Sequence, residues 1–140
     1  METPIPEFIA LNTIDYIVLR PDNTEPGMTY FLSDGRRLDM VFINDQECDK
    51  AWAEVEETLR NKDFIRNYGV FFRAERLLAL EKRHTEELGY CLYFKFAKSS
   101  GFRQRYIDEQ TRDAGYARLI GLLTVFQDMR AGYEASPTKH

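Results

Sequence analysis

The stretch YFLSDGRRLDMVFIND, residues 30–45, joins two apolar runs through Ser33-Asp34-Gly35. Asp-Gly is the dipeptide that most readily supplies positive φ angles in a two-residue hairpin loop. We therefore predict a β-hairpin with strands at 28–33 and 37–43. Residues 93–109, YFKFAKSSGFRQRYIDE, repeat the plan with Ser99-Ser100-Gly101 at the turn. This second stretch predicts strands at 90–97 and 102–107.

Each predicted hairpin is followed by an amphipathic helix. Asn44 or Asp45 can cap the first helix, and Glu47 stands three residues after Asn44, as in a capping box. This helix is predicted over 45–61 and the second over 110–131. An apolar stripe at helical spacing should pack the first helix on a sheet. The stripe consists of Cys48, Ala51, Trp52, Val55 and Leu59.

The two halves of the chain follow the same plan, which predicts a tandem duplication. From Ile43 and Ile107 onward, similar residues recur at equal offsets without a gap. The matched pairs are Trp52 with Tyr116, Val55 with Leu119 and Leu59 with Leu123. We therefore predict an α+β fold, an antiparallel β-sheet with two amphipathic helices, built from ββββα units at 1–62 and 63–131. Residues 132–140 are predicted to form a polar tail.

The start of each predicted unit is less regular. Strands are predicted at 8–11 and 14–20, joined by a tight turn at Asn12-Thr13. In the second half, residues 73–84 read RAERLLALEKRH, a composition typical of a helix, whereas the duplication predicts a strand there. Propensity is a weak guide that tertiary context can override, so both helix and strand stay open for residues 73–83.

Composition and charge exclude several classes of protein. The net charge of -4 gives no general attraction to phosphate or to anionic lipid. No apolar run approaches the roughly 18 residues of a membrane span. The first residues also lack the basic and then apolar pattern of a signal peptide. These features predict a cytoplasmic protein with no membrane partner.

The residue types that carry catalysis or bind metals are sparse. Cys48 and Cys91 form no CxxC motif and are expected to be free buried thiols. His84 lies in a charged stretch, where a solvated loop residue is the simpler interpretation than a general base. Phosphate-loop, nucleophile-elbow and zinc-protease motifs are absent from the sequence. We predict no metal site, no cofactor and no enzymatic activity.

Charge is distributed unequally between the two predicted units. Acidic residues predominate on the first helix: Asp45, Glu47, Asp49, Glu54, Glu56 and Glu57. Basic residues predominate around the last hairpin and the second helix: Lys95, Lys98, Arg103, Arg105, Arg112 and Arg118. Period-two alternation predicts that Arg103 and Arg105 share one face of their strand, with Phe102, Gln104 and Tyr106 on the other.

Three interpretations of this charge pattern stay open. The faces could simply be solvated, or could pair with each other. Alternatively, the basic and acidic faces could be partner-binding surfaces that dock copies of the chain, or another protein, head to tail. In the third interpretation the basic residues follow the phosphates of a nucleic acid, while Tyr93, Phe102 and Tyr106 stack on bases.

Three motifs in the first half are shared with a known family. They are Phe8-Ile9-Ala10-Leu11, Pro21-Asp22 and Leu32-Ser33-Asp34-Gly35-Arg36. In these motifs the chain resembles small bacterial and phage proteins, among them the flagellar FlbD family. The resemblance implies a small regulator or interaction module of bacterial or phage origin, in the host cytoplasm or, if phage-encoded, in the virion.

The sequence therefore predicts a non-enzymatic protein–protein interaction or assembly module, an accessory or structural protein that binds another protein or copies of itself. The alternative is a small regulator that binds nucleic acid or the transcription apparatus through a basic and aromatic sheet face.

Overall fold

The computed structural model describes residues 11–19, 26–60 and 62–135, with the backbone alone for 127–135. In this part of the chain two antiparallel sheets and two helices form a mixed α+β fold, which confirms the predicted fold class. The strands are β1 (Ile14–Leu19), β2 (Gly27–Leu32), β3 (Arg37–Val41), β4 (Phe64–Asn67), β5 (Val70–Arg73), β6 (Leu77–Thr85), β7 (Gly89–Phe96) and β8 (Phe102–Tyr106). The helices are α1 (Asp45–Leu59) and α2 (Glu109–Ala135).

The described chain divides into two compact units. The first comprises the chain up to Leu78 together with Phe96–Ser100, and the second comprises Ala79–Lys95 together with the chain from Gly101 on. The first contains a five-stranded sheet of order β3-β2-β1-β5-β4, and the three-stranded sheet has the order β6-β7-β8.

The predicted hairpin at 30–45 is confirmed, but its loop is longer than the prediction. Phe31 pairs with Arg37, the Leu32 amide donates to the Arg36 carbonyl at 2.8 Å, and the Gly35 amide donates to the Leu32 carbonyl at 3.0 Å. The loop therefore holds Ser33, Asp34 and Gly35, not two residues. Gly35 has a φ of 93°, the left-handed position that ends a three-residue loop.

Helix α1 packs on the five-stranded sheet through the predicted apolar stripe. Cys48, Trp52 and Leu59 are buried, and Ala51 and Val55 are half-buried beside them. The Trp52 ring lies 4.8 Å from the ring of Phe71 on β5. The stripe and its packing are therefore confirmed for this helix.

The predicted N-cap of α1 is also confirmed. The Asn44 side chain accepts a hydrogen bond of 2.9 Å from the Glu47 amide. Replacing Asn44 with Ala should lower the free energy of unfolding by about 1 kcal/mol, because it leaves a first-turn amide without its acceptor. Urea denaturation followed by the fluorescence of Trp52, the one tryptophan of the sequence, measures this change. Asn44→Asp should retain most of the stability, and equal losses in both variants would contradict a capping role.

The predicted turn at Asn12-Thr13 is wrong. Leu11–Thr13 form a 3₁₀ turn that leads into β1, and residues 8–10 of the predicted first strand lie outside the described residues. Arginine side chains bind the carbonyls of this turn: Arg73 donates to Leu11, and Arg76 donates to Asn12 at 2.8 Å. The two guanidinium groups thus supply hydrogen bonds to backbone carbonyls that, in a β-hairpin, the neighbouring strand would supply.

The hairpin of β4 and β5 belongs to the first sheet. The duplication assigns 63–131 to the second unit, yet β5 pairs with β1 through Tyr16 with Phe72 and Val18 with Val70. The predicted boundary at residue 62 thus falls within the first unit of the structure. A three-stranded meander followed by a helix occurs twice, as β1–β2–β3–α1 and as β6–β7–β8–α2. The tandem duplication itself stays a prediction.

The segment 73–83, for which helix and strand both stayed open, is mainly a strand. After a 3₁₀ turn at Ala74–Arg76, β6 runs from Leu77 to Thr85 and pairs with β7. Its charged residues alternate between the two faces of the sheet. Arg83 donates to Glu81, two positions away, at 2.6 Å, whereas Lys82 lies 5.1 Å from the ring of Tyr116 on α2. Tertiary contacts therefore override the helical propensity of this segment.

Helix α2 covers one face of the three-stranded sheet. Asp108 caps it by accepting a 2.7 Å hydrogen bond from the Thr111 amide, and hydrogen bonds from Thr111 lower the pKa of Asp108. Leu119, the residue that the duplication matches with Val55, is fully buried, and Gly115 lies against the ring of Tyr106 on β8. The helix extends to Ala135, so the predicted tail at 132–140 is wrong for its first four residues, and 136–140 lie outside the described residues.

Candidate functional site

The face of the three-stranded sheet opposite α2 carries a cluster of positive charge. On β7 and β8, Tyr93 is directly opposite Arg103, and Cys91 is opposite Arg105. Lys95 follows Tyr93 on the same face of β7, and Arg83 and Glu81 project from β6 beside them. We call this set the basic sheet face: Glu81, Arg83, Tyr93, Lys95, Arg103 and Arg105. It holds four cations and one carboxylate.

Glu81 organises one half of the basic sheet face. Arg83 donates to Glu81 at 2.6 Å, and the Lys95 ammonium lies 3.2 Å from the other carboxylate oxygen. Hydrogen bonds from Arg83 first, and then from Lys95, lower the pKa of Glu81. The Arg83 guanidinium also lies 4.3 Å from the centroid of the Tyr93 ring. These contacts hold the side chains of β6 and β7 in a fixed arrangement.

In the other half of the face, the positive charge of Arg103 and Arg105 is not balanced by an ion pair within the described residues. Arg105 is exposed and donates to the Leu88 carbonyl at 3.1 Å. Arg103 is exposed and has no ion-pair partner among the residues that the structure describes. A guanidinium in this state has all its N–H groups available for an external carboxylate or phosphate.

The structure brings together three of the six basic residues predicted as a partner-binding face: Lys95, Arg103 and Arg105. Lys98 is exposed but belongs to the first unit. Arg118 is exposed on α2. Arg112 does not belong to an exposed face, because it is buried against the ring of Tyr90 and donates to Asp113 and to the Arg83 carbonyl at 3.0 Å.

Arg83 belongs to the basic sheet face but was not among the residues predicted from the sequence. Its place could not be predicted while helix and strand both stayed open over 73–83, because a helix would not place Arg83 and Glu81 on one face. Strand periodicity was the signal that could have found it: once β6 is a strand, residues 81 and 83 must project to the same side.

The predicted alternation along β8 is confirmed. Arg103 and Arg105 are exposed, while Phe102, Gln104 and Tyr106 are less exposed. Phe102 stacks on Phe94 with ring centroids 4.3 Å apart, and the buried Tyr106 lies against α2. Of the three aromatic residues predicted to stack on bases, Tyr93 alone lies on the basic sheet face, and Arg83 covers it.

The predicted acidic residues all lie on α1, and two of them have basic partners within the first unit. Glu56 pairs with Arg66 at 2.6 Å, and Glu57 pairs with Arg60 at 3.2 Å. Asp45 and Glu47 occupy the first helical turn, where the helix dipole favours negative charge, and Asp49 follows on the exposed surface. Glu54 differs from the others because it lines a cavity beside the sheet.

Among the described side chains, no three His, Cys, Asp or Glu residues are arranged to bind a metal ion. Both cysteines are buried thiols that form no disulfide, as predicted. Among the same residues, no helix has the length and apolar character needed to cross a membrane.

Comparison with known proteins found no relative of the chain. No protein-family model matches the chain, and no match was found among curated proteins or solved structures. The resemblance to the FlbD family stays a prediction; of its motifs, Phe8–Ala10 and Pro21-Asp22 lie outside the described residues.

Proposed function

We propose that the protein is a non-catalytic interaction module whose basic sheet face docks on an acidic surface of another protein. The observation that supports this proposal is the composition of the face: it holds four cations and one carboxylate, and Arg103 has no ion-pair partner among the described residues. The site of docking would be a rigid sheet, which presents its side chains at fixed spacing.

Charge complementarity gives such a surface its specificity. The chain as a whole has a net charge of -4, so a cluster of positive charge is a local feature and not an effect of composition. Arginine favours bidentate contacts to carboxylates, and Arg103 and Arg105 are two residues apart on one strand. A strand rises about 3.3 Å per residue, so the two Cα atoms are roughly 6–7 Å apart. This spacing suits two carboxylates on adjacent turns of a helix or two residues apart on a strand.

Nucleic acid is the alternative partner, and the aromatic residues argue against it. Sequence-tolerant binding of single strands depends on bases stacking on exposed rings. Phe102 and Tyr106 lie on the helix-covered side of the sheet, and the Arg83 guanidinium already lies over the Tyr93 ring. Protein carboxylates require no such rings, which favours an acidic protein as the partner.

The test compares an acidic polypeptide with a nucleic acid of similar length and charge. Labelled poly-glutamate and poly-dT, each of about 20 units, are titrated with the full chain at low and high salt, and binding is followed by fluorescence anisotropy. We expect poly-glutamate to bind, and Arg103→Glu with Arg105→Glu to weaken that binding about tenfold or more. Lys50→Glu with Lys62→Glu is the control, because it makes the same change in net charge away from the face.

Equal weakening by the two double variants would mean that net charge alone drives binding, and would overturn the proposal. Tighter binding of poly-dT, lost in Arg103→Glu with Arg105→Glu, would favour the nucleic-acid alternative. Sedimentation of the chain alone shows whether the acidic partner is a second copy. In that case the mass should rise with concentration and fall to that of the monomer in the same double variant.

A further inference from the structure

A cavity of about 350 Å³ lies between α1 and the five-stranded sheet in the first unit. Its volume falls within the range of small-molecule sites, which begins near 300 Å³. Most of its wall is apolar and comes from β1, β2, β3 and α1: Ile14, Ile17, Met28, Met40, Val55 and Leu59. The cavity is open to solvent, since Glu54 and Thr58 in its wall are exposed and Met40 and Val55 are half-buried.

Two polar side chains of the wall lack partners within the described residues. The hydroxyl of Tyr30 makes no hydrogen bond there, and burial raises the pKa of this phenol, so it stays neutral. Glu54 has no ion pair in the same part of the chain, although its neighbours on α1, Glu56 and Glu57, both have one. The Tyr30 hydroxyl is half-buried and the Glu54 carboxylate is exposed at the mouth of the cavity, so both are available to a ligand.

The charge of the wall indicates the class of ligand. No lysine, arginine or histidine is found among the described residues that line it, and Glu54 is the one charged side chain there. A carboxylate beside apolar surface attracts a cation and repels an anion. The apolar wall in turn requires a body without charge.

We propose that this cavity binds a small organic cation, an ammonium group on an aryl or alkyl body, with Glu54 facing the ammonium and Tyr30 as a second hydrogen-bonding group. The apolar wall would cover the body of the ligand, and Glu54 would select its charge. This proposal is independent of the basic sheet face, since the cavity lies in the first unit and uses none of its residues.

Three compounds that share one phenylethyl body test the proposal: phenethylamine, 2-phenylethanol and 3-phenylpropionate. Each is titrated into the ¹⁵N-labelled full chain to about 10 mM, and amide shifts are followed by NMR. We expect phenethylamine to shift amides of α1, β1 and β2 with a Kd on the order of 1 mM or below. We expect 3-phenylpropionate to bind at least tenfold more weakly, with 2-phenylethanol between them.

The role of Glu54 has a matched control on the same helix. Glu54→Gln should reduce the affinity for phenethylamine about tenfold and leave that for 2-phenylethanol unchanged, whereas Glu57→Gln should change neither. Ala51→Phe should fill the cavity and abolish all binding. If this variant does not fold, the Gln variants alone decide. Equal affinity for the three compounds, unchanged selectivity in Glu54→Gln, or no shift of these amides by any compound would overturn the proposal.

Discussion

Replacing Gly101 with Ala should lower the free energy of unfolding of the second unit by about 3 kcal/mol. Gly101 has a φ of 78°, and a Cβ at this position would lie 2.5 Å from the carbonyl oxygen of Phe94. Two costs therefore combine. The left-handed conformation disfavours any residue with a side chain, and the clash involves backbone that cannot move without disturbing the pairing of β7 with β8.

Gly89→Ala separates these two costs. Gly89 lies in the same unit with a similar φ of 72°, but no atom lies within 4 Å of the position of an added Cβ. This variant should lose about 1 kcal/mol, from the backbone conformation alone. Hydrogen exchange of the Leu92 and Phe94 amides on β7 measures both variants within the second unit. Equal losses in the two variants would contradict the predicted clash.

Replacing Asp15 with Ala should destabilise the first unit by about 3 kcal/mol. Asp15 lies at a β-bulge of the central strand β1, and 3% of its surface is exposed. Its carboxylate accepts a 2.7 Å hydrogen bond from the Ser99 hydroxyl and lies 3.5 Å from the Arg76 guanidinium. Removing it leaves the buried Ser99 hydroxyl without its acceptor and removes the ion-pair partner of Arg76, which keeps its hydrogen bond to the Asn12 carbonyl.

Asp39→Ala is the matched control, because Asp39 has the same kinds of partner, a buried hydroxyl and a guanidinium, but is itself exposed. It accepts from the Thr29 hydroxyl at 2.8 Å and from Arg37 at 3.1 Å, but about half of its side chain is exposed. Water can enter the space that this exposed carboxylate leaves and hydrate both the Thr29 hydroxyl and Arg37, so we expect a loss of about 1 kcal/mol or less. Urea denaturation followed by Trp52 fluorescence reports on the first unit in both variants. Similar losses would show that burial does not govern the contribution of these carboxylates.

Local chemistry made part of the fold predictable. Asn44 with Glu47 marked the start of α1, and Asp34-Gly35 marked the hairpin, because caps and turns depend on a few neighbouring residues. The pairing of β5 with β1 was not predictable in this way. It joins Tyr16 to Phe72, residues far apart in the sequence, and no pattern of neighbouring residues specifies which distant strand β1 pairs with.

The same contrast applies to the candidate sites. Arg103 and Arg105 were predicted correctly to share a face, since alternation follows directly from strand geometry. Arg112 was grouped with them by charge alone, yet the ring of Tyr90 and the carboxylate of Asp113 enclose its guanidinium. The cavity beside Glu54 had no signal in the sequence, because its wall is assembled from four separate elements.

The charged residues of β6 also affect how copies of the chain can associate. This strand is the first in the order of its sheet, and Glu81, Lys82, Arg83 and His84 follow one another along it. If β6 of a second copy were added at this edge of the sheet, it would bring several of these charges close together and remove them from water. The charged residues that gave this segment the composition of a helix therefore oppose the strand-by-strand growth that leads to amyloid-like aggregates.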